Sequence, residues 1–274
     1  MTKVTGSTRI PGAHLRRVPA IGALAAAALA SVALTGPAAA APGDPVQSKI
    51  VGGEPASTAE YPWVVYLTDS AGNQFCGGTL AAPDKVVTAA HCATGDAPPD
   101  MNAVAGRDDK QSTAGDEAKV KDKWVHPKYT DATAGSDVAV LTLDHPLPQA
   151  PLQLASPGDS ALYQPGKQAT VLGWGSTSEG GTPSRTLQQA HPPITTDQEC
   201  SKAYGESFKP QANVCAGLPE GGVDSCQGDS GGPLVADDKL IGIVSWGNGC
   251  ARPGQPGVYT RVATYFEDVQ QQLH

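Results

Sequence analysis

Apolar positions in this chain fall in short runs rather than in the three-and-four spacing of long amphipathic helices. Residues 63–67, 85–88 and 138–143 form one group, and 169–172, 240–244 and 257–262 a second; Gly, Pro, Asp or Asn bound them. β-Branched and aromatic runs of this length predict strands. Only the tail, 263–273, has helical spacing, with Tyr265, Phe266, Val269 and Leu273 on one face. A Pro-rich passage, 145–158, separates the two groups and reads as a linker. The pattern predicts two successive antiparallel β units closed by one helix.

Composition agrees with this. With 32 glycines, 24 prolines and 17% charged residues, a helical bundle or coiled coil is excluded, and the absence of a fixed Gly period excludes collagen. At the chain's start, Lys3, Arg9, Arg16 and Arg17 precede an Ala-rich apolar run, and Ala38 to Ala41 offer an A-x-A site. Residues 1–41 are therefore expected to be a secretory signal peptide. A membrane anchor is the weaker reading, because Pro19, Gly22 and Gly36 crowd a short run. Arg16-Arg17 raises twin-arginine export, which the following residues fit poorly.

Setting residues 1–49 aside leaves 14 basic and 26 acidic residues, a net charge of −12. A phosphate backbone or an anionic membrane surface would repel such a chain, so neither is an expected partner. All six cysteines lie beyond the leader, an even number that predicts three disulfides in an oxidising compartment. No C-x-x-C pair suggests zinc, and spacing alone does not choose the pairing.

The stretch Asp224-Ser225-Cys226-Gln227-Gly228-Asp229-Ser230-Gly231-Gly232-Pro233 carries the strongest chemical signal. A serine among glycines can be a tight turn. It can also be a nucleophile, since glycines allow backbone N–H groups to converge beside a fixed hydroxyl. A serine hydroxyl needs a base. His14 lies in the leader, His274 is the last residue, His126 and His191 precede prolines, and His145 lies in the Pro-rich passage; each reads as structural or solvated. His91 ends an apolar strand beside Cys92, and Asp137 opens the 138–143 run. Alone, that aspartate would be a strand cap; with a histidine to orient, it is the third group that base catalysis requires.

Taken together, the order His91, Asp137, Ser230 and the motifs T-A-A-H-C, D-V-A-V-L, G-D-S-G-G-P and S-W-G resemble the trypsin/chymotrypsin family of serine proteases. The resemblance spans essentially all of residues 50–274, and the chain looks like the secreted bacterial trypsins. Subtilisins and α/β-hydrolases follow other chain orders. The resemblance implies an all-β fold of two antiparallel six-stranded barrels, about 50–150 and 160–262, followed by a C-terminal helix. His91, Asp137 and Ser230 would be the catalytic triad, and the N–H groups of Gly228 and Ser230 the oxyanion hole. Asp224 would floor the S1 slot, lined by Ser225, Ser245 and Trp246 and walled by Gly247 and Gly257, giving cleavage after Arg or Lys. The implied disulfides are Cys76–Cys92, Cys200–Cys215 and Cys226–Cys250.

Lys49-Ile50-Val51-Gly52-Gly53 resembles the family's activation site. Residues 42–49 would then be a propeptide, and the freed Ile50 ammonium would pair with Asp229. The resemblance implies a secreted monomer with protein and peptide substrates, protein protease inhibitors as partners, and no required cofactor. Asp108, Asp109, Asp116 and Glu117, within 106–123, stand broadly where some relatives bind calcium but match that loop poorly; a solvated acidic loop is the competing reading. The rivals are a catalytically silent homologue acting as a binding module, and a serine esterase. Intact triad, oxyanion and activation motifs disfavour the first.

Overall fold

A computed structural model describes residues 50–94 and 100–274. The expected signal peptide and propeptide, including Lys49, lie outside the described residues.

In the first half, five strands follow a short β1 (Glu54–Pro55): β2 (Val64–Thr68), β3 (Gln74–Ala82), β4 (Lys85–Thr88), β5 (Asn102–Ala105) and β6 (Asp116–Val125). With β7 (Ala139–Leu143), β2 to β6 close a barrel in the order β2-β3-β4-β7-β6-β5. All five positions of β2 are buried, as a continuous apolar run requires. The second half contributes β8 (Gln153–Leu154), β9 (Thr170–Gly173), β10 (Gln188–Ala190), β11 (Asn213–Ala216), β12 (Pro233–Ala236), β13 (Lys239–Trp246) and β14 (Gly257–Arg261). With β1 they form an eight-stranded sheet, β1-β10-β9-β12-β13-β14-β11, and β8 pairs with β13. An isolated bridge, Ile194 to Ala216, links chain beyond β10 to β11, so this sheet curls back on itself.

The Pro-rich passage is no free linker. Leu147, Leu152, Leu154 and Ala155 are buried, and β8 runs parallel to β13. Part of the acidic 106–123 stretch is strand β6, paired with β5 and β7. The helical tail is shorter than its periodicity suggests: a 3-10 turn at Val262–Thr264 precedes α2 (Phe266–Gln270). The earlier helix α1 (Asp197–Tyr204) has no counterpart in the sequence reading; Thr196 and Glu199 cap it reciprocally. Two large apolar clusters form the core, the first crossing between the halves through Leu172, Leu187, Leu240 and Ile243. The first fills the closed barrel and takes in Tyr265 and Val269 from the tail, and the second centres on Val171, Leu234, Ile241 and Tyr259.

Candidate active site

β4 leads directly into a 3-10 turn, Ala90–Cys92, which carries His91 on the barrel rim. Asp137 precedes β7 and has no exposed surface. The two meet: His91 Nδ1 lies 2.8 Å from Asp137 Oδ2, and the His91 backbone N–H donates to Oδ1 at 2.9 Å. A third donor, the Ser245 hydroxyl, reaches Asp137 Oδ2 at 2.5 Å. This contact has a local cause. The β13–β14 register shifts between Val244 and Trp246, leaving Ser245 unpaired and aimed at the acid. Ser245 thus serves Asp137 as well as lining the expected slot.

Ser230 sits between the halves. Its carbonyl accepts from the Gly77 N–H of β3 at 2.8 Å, while Gly231 N–H donates to Val244 O of β13 at 2.8 Å. Among the described residues the Ser230 hydroxyl makes no hydrogen bond to the His91 ring. Such contacts are often long without substrate and tighten in the complex. Gly228 has φ +95°, a left-handed conformation that suits glycine.

One slot of about 160 Å³ is lined by Asp224, Ser225, Ser230, Ser245, Trp246, Gly247 and Gly257, among others. Asp224 is held by two backbone donors, Ser225 N–H at 2.8 Å and Ala251 N–H at 3.0 Å. Ala251 takes φ +53° to present that N–H. Burial nevertheless dominates and pushes the Asp224 carboxyl up to about 7. A Cβ on Gly257 would lie 2.3 Å from Asp224 Oδ1, so glycine there keeps the floor accessible. Trp246 is braced edge-on by Tyr204, 4.9 Å between centroids.

Ile50 has no exposed surface and packs in the second cluster. The next residue, Val51, accepts from Asp224 N–H at 3.2 Å, docking this segment on the slot's outer wall. Asp229 is fully buried; Gly175 N–H donates to it at 2.8 Å and Cys226 N–H at 3.0 Å, and burial raises its carboxyl to about 6. Sequence reasoning misses the strap around it: a Cβ on Gly173 would lie 2.1 Å, and on Gly175 2.5 Å, from Asp229 side-chain atoms. The G-W-G triplet at 173–175 is the available signal.

The disulfides are Cys76–Cys92, Cys200–Cys215 and Cys226–Cys250. Donor atoms of Cys76, His91 and Cys92 lie within 4.8 Å of one another, but the disulfide consumes both thiols. The residues of the acidic loop do not fit a calcium cage. Asp108 accepts from Ser57 and Thr58, Asp109 pairs with Arg185, and Asp116 takes Gln149 Nε2. Arg107 itself bridges the loop, donating to Ala114 O at 2.6 Å. Three of its acids, Asp108, Asp109 and Asp116, point to separate protein partners rather than to one centre. No helix among the described residues is long and apolar enough to cross a membrane.

The family model described as Trypsin matches residues 50–269. The chain belongs to the trypsin family. A "Trypsin" of Saccharopolyspora erythraea is 56% identical over 225 residues, covering 82% of this chain and 98% of that relative. "Trypsin eta" of Drosophila erecta is 41% identical, covering 80% of this chain and 88% of its own. A "Trypsin-like protease" of Streptomyces glaucescens is 39% identical, with 81% of each covered. As a member of the trypsin family, the chain is a trypsin-like serine endopeptidase, a hydrolase whose substrates are proteins.

Proposed function

We propose that the protein is a secreted endopeptidase that cleaves after Arg or Lys through Ser230, His91 and Asp137, and that a cut between Lys49 and Ile50 activates it. What supports this most is a single slot whose lining includes both Ser230 and the buried acid Asp224. In this reading the Ser230 hydroxyl attacks the scissile carbonyl while His91 takes its proton. Asp137, restrained by Ser245, keeps the ring oriented and stabilises the imidazolium. N–H groups of Gly228 and Ser230 receive the developing oxyanion; loss of one such donor typically costs about 10²–10³ in kcat. His91 then protonates the leaving amine, and water releases the acyl group by the same steps.

A cationic P1 side chain would pair with Asp224. A neutral one would strand a desolvated charge, at about 3–5 kcal/mol, so matched peptides with P1 Arg or Lys should exceed P1 Phe by about 10²–10⁴-fold in kcat/KM. Comparable turnover of the Phe peptide would overturn the specificity, and full activity of Ser230→Ala the chemistry. Activation is supported by the buried Ile50 and by the buried carboxylate of Asp229, which an ammonium would complete. Acetylating the Ile50 amine of the cut protein should silence it.

A further inference from the structure

Lys110 extends from the loop before β6 and touches one group of each half, Gln74 of β3 and Trp174 beyond β9. Its ammonium donates to Gln74 Oε1 at 2.6 Å and lies 3.4 Å from Trp174 O. The Gln74 Nε2, in turn, donates to the Gly228 carbonyl at 3.2 Å. Ammonium groups only donate, so the oxygen of the Gln74 amide must face Lys110 and its NH₂ must face Gly228. The cation therefore fixes which way the amide points. Without it, only the Gly228 carbonyl would select that orientation, and the amide oxygen would lose its donor.

The lysine itself is well held. Its backbone N–H donates to Arg185 O at 3.0 Å, and the preceding Asp109 pairs with the Arg185 guanidinium. Asp108, just before, accepts from Trp174 Nε1 on its carbonyl at 2.8 Å and binds Ser57 and Thr58 through its carboxylate. Trp174 is the centre of the strap around Asp229, so one loop of the first half grips both structures that flank Gly228.

We propose that Gln74 and Lys110 are positioning residues for the oxyanion hole: the ammonium orients the amide, and the amide anchors the peptide that follows Gly228, while Ser176 N–H holds the Gln227 carbonyl on the peptide before it, so that the Gly228 N–H keeps its direction. This rests on the reading of Gly228 as an oxyanion donor. Neither side chain need touch substrate. The buried Asp229 adds to the effect, since the Lys110 charge favours its carboxylate form.

The test compares two ligands of the activated enzyme. A peptidyl argininal adds to the serine and places an oxyanion in the hole, whereas benzamidinium fills only the acid-floored slot. In Lys110→Met, and in Gln74→Glu, which keeps the shape and still accepts from Lys110 but cannot donate to Gly228, argininal affinity and kcat on an Arg amide should each fall about tenfold. Benzamidinium affinity should stay unchanged. The double variant should be no worse than the weaker single one, as expected for one coupled chain. Equal weakening of both ligands would show general damage to the site and overturn the proposal, as would full argininal affinity in both variants. Should the parent enzyme neither cleave the Arg amide nor bind the argininal, the reading of the active site itself would fall; a working parent with indifferent variants removes the latch alone.

Discussion

Asp224 illustrates how much one buried residue decides. Its two backbone donors favour the carboxylate, but desolvation outweighs them and lifts the group to about 7. A cation entering the slot reverses that balance, so below this value binding must expel a proton. Benzamidinium affinity should therefore fall about tenfold per pH unit as pH drops beneath about 7, and level off above it. Competitive inhibition measured across that range checks the slope, and a flat profile would mean that the acid is already ionised when the slot is empty. Asp224→Asn should bind the ligand weakly at every pH and lose the slope altogether.

At the scale of the elements, the segment after β9 makes a sharper demand. Gly173 and Gly175 leave room for the Asp229 carboxylate, which a methyl group would penetrate. Gly175→Ala should lower kcat/KM on an Arg amide by about 10²-fold while the far-ultraviolet spectrum is preserved. Gly158→Ala, whose Cβ would come no closer than 3.7 Å to Ser156 Oγ, should leave both unchanged. The strands legible in the sequence are those with unbroken apolar runs, such as β4 and β7. β3 is hidden because Gly77 and Gly78 interrupt it, and both glycines are needed where Gly232 and Val86 press close. β6 is hidden because most of its residues, among them Asp116, Glu117, Lys119 and Asp122, are charged and exposed, which leaves no apolar run. The T-x-x-E box before α1 is a readable start signal, but no apolar periodicity follows it to predict a helix. In the site, His91, Asp137 and Ser230 stand out because short motifs mark them. The Gln74–Lys110 chain does not, because its members meet only after two distant segments fold together.

Across the whole molecule, Asp224 and Asp229 are buried acids whose folded values, about 7 and about 6, lie above the ordinary 3.8. The folded state then holds more protons than the unfolded one between those limits, so their contribution is full below about 3.8 and is lost as pH rises through 6 to 7. Asp109 and Asp159, held down to about 2 by Arg185 and Lys239, act in the opposite sense but at lower pH. Uncut Ser230→Ala protein should therefore show a lower denaturation midpoint at pH 8 than at pH 5, and Asp224→Asn should shrink the gap. A midpoint that rises with pH would contradict it. Ile50 bears on how the molecule is switched on. The bond proposed to be cut adjoins a residue with no exposed surface, packed in the second apolar cluster, and an attacking protease must receive several extended residues. If the bond is cut as proposed, Ile50 would leave its socket before the cut and return afterwards. Maturation would then proceed as a ratchet, paced by rare excursions of that segment and made one-way by the same enclosure that makes them rare.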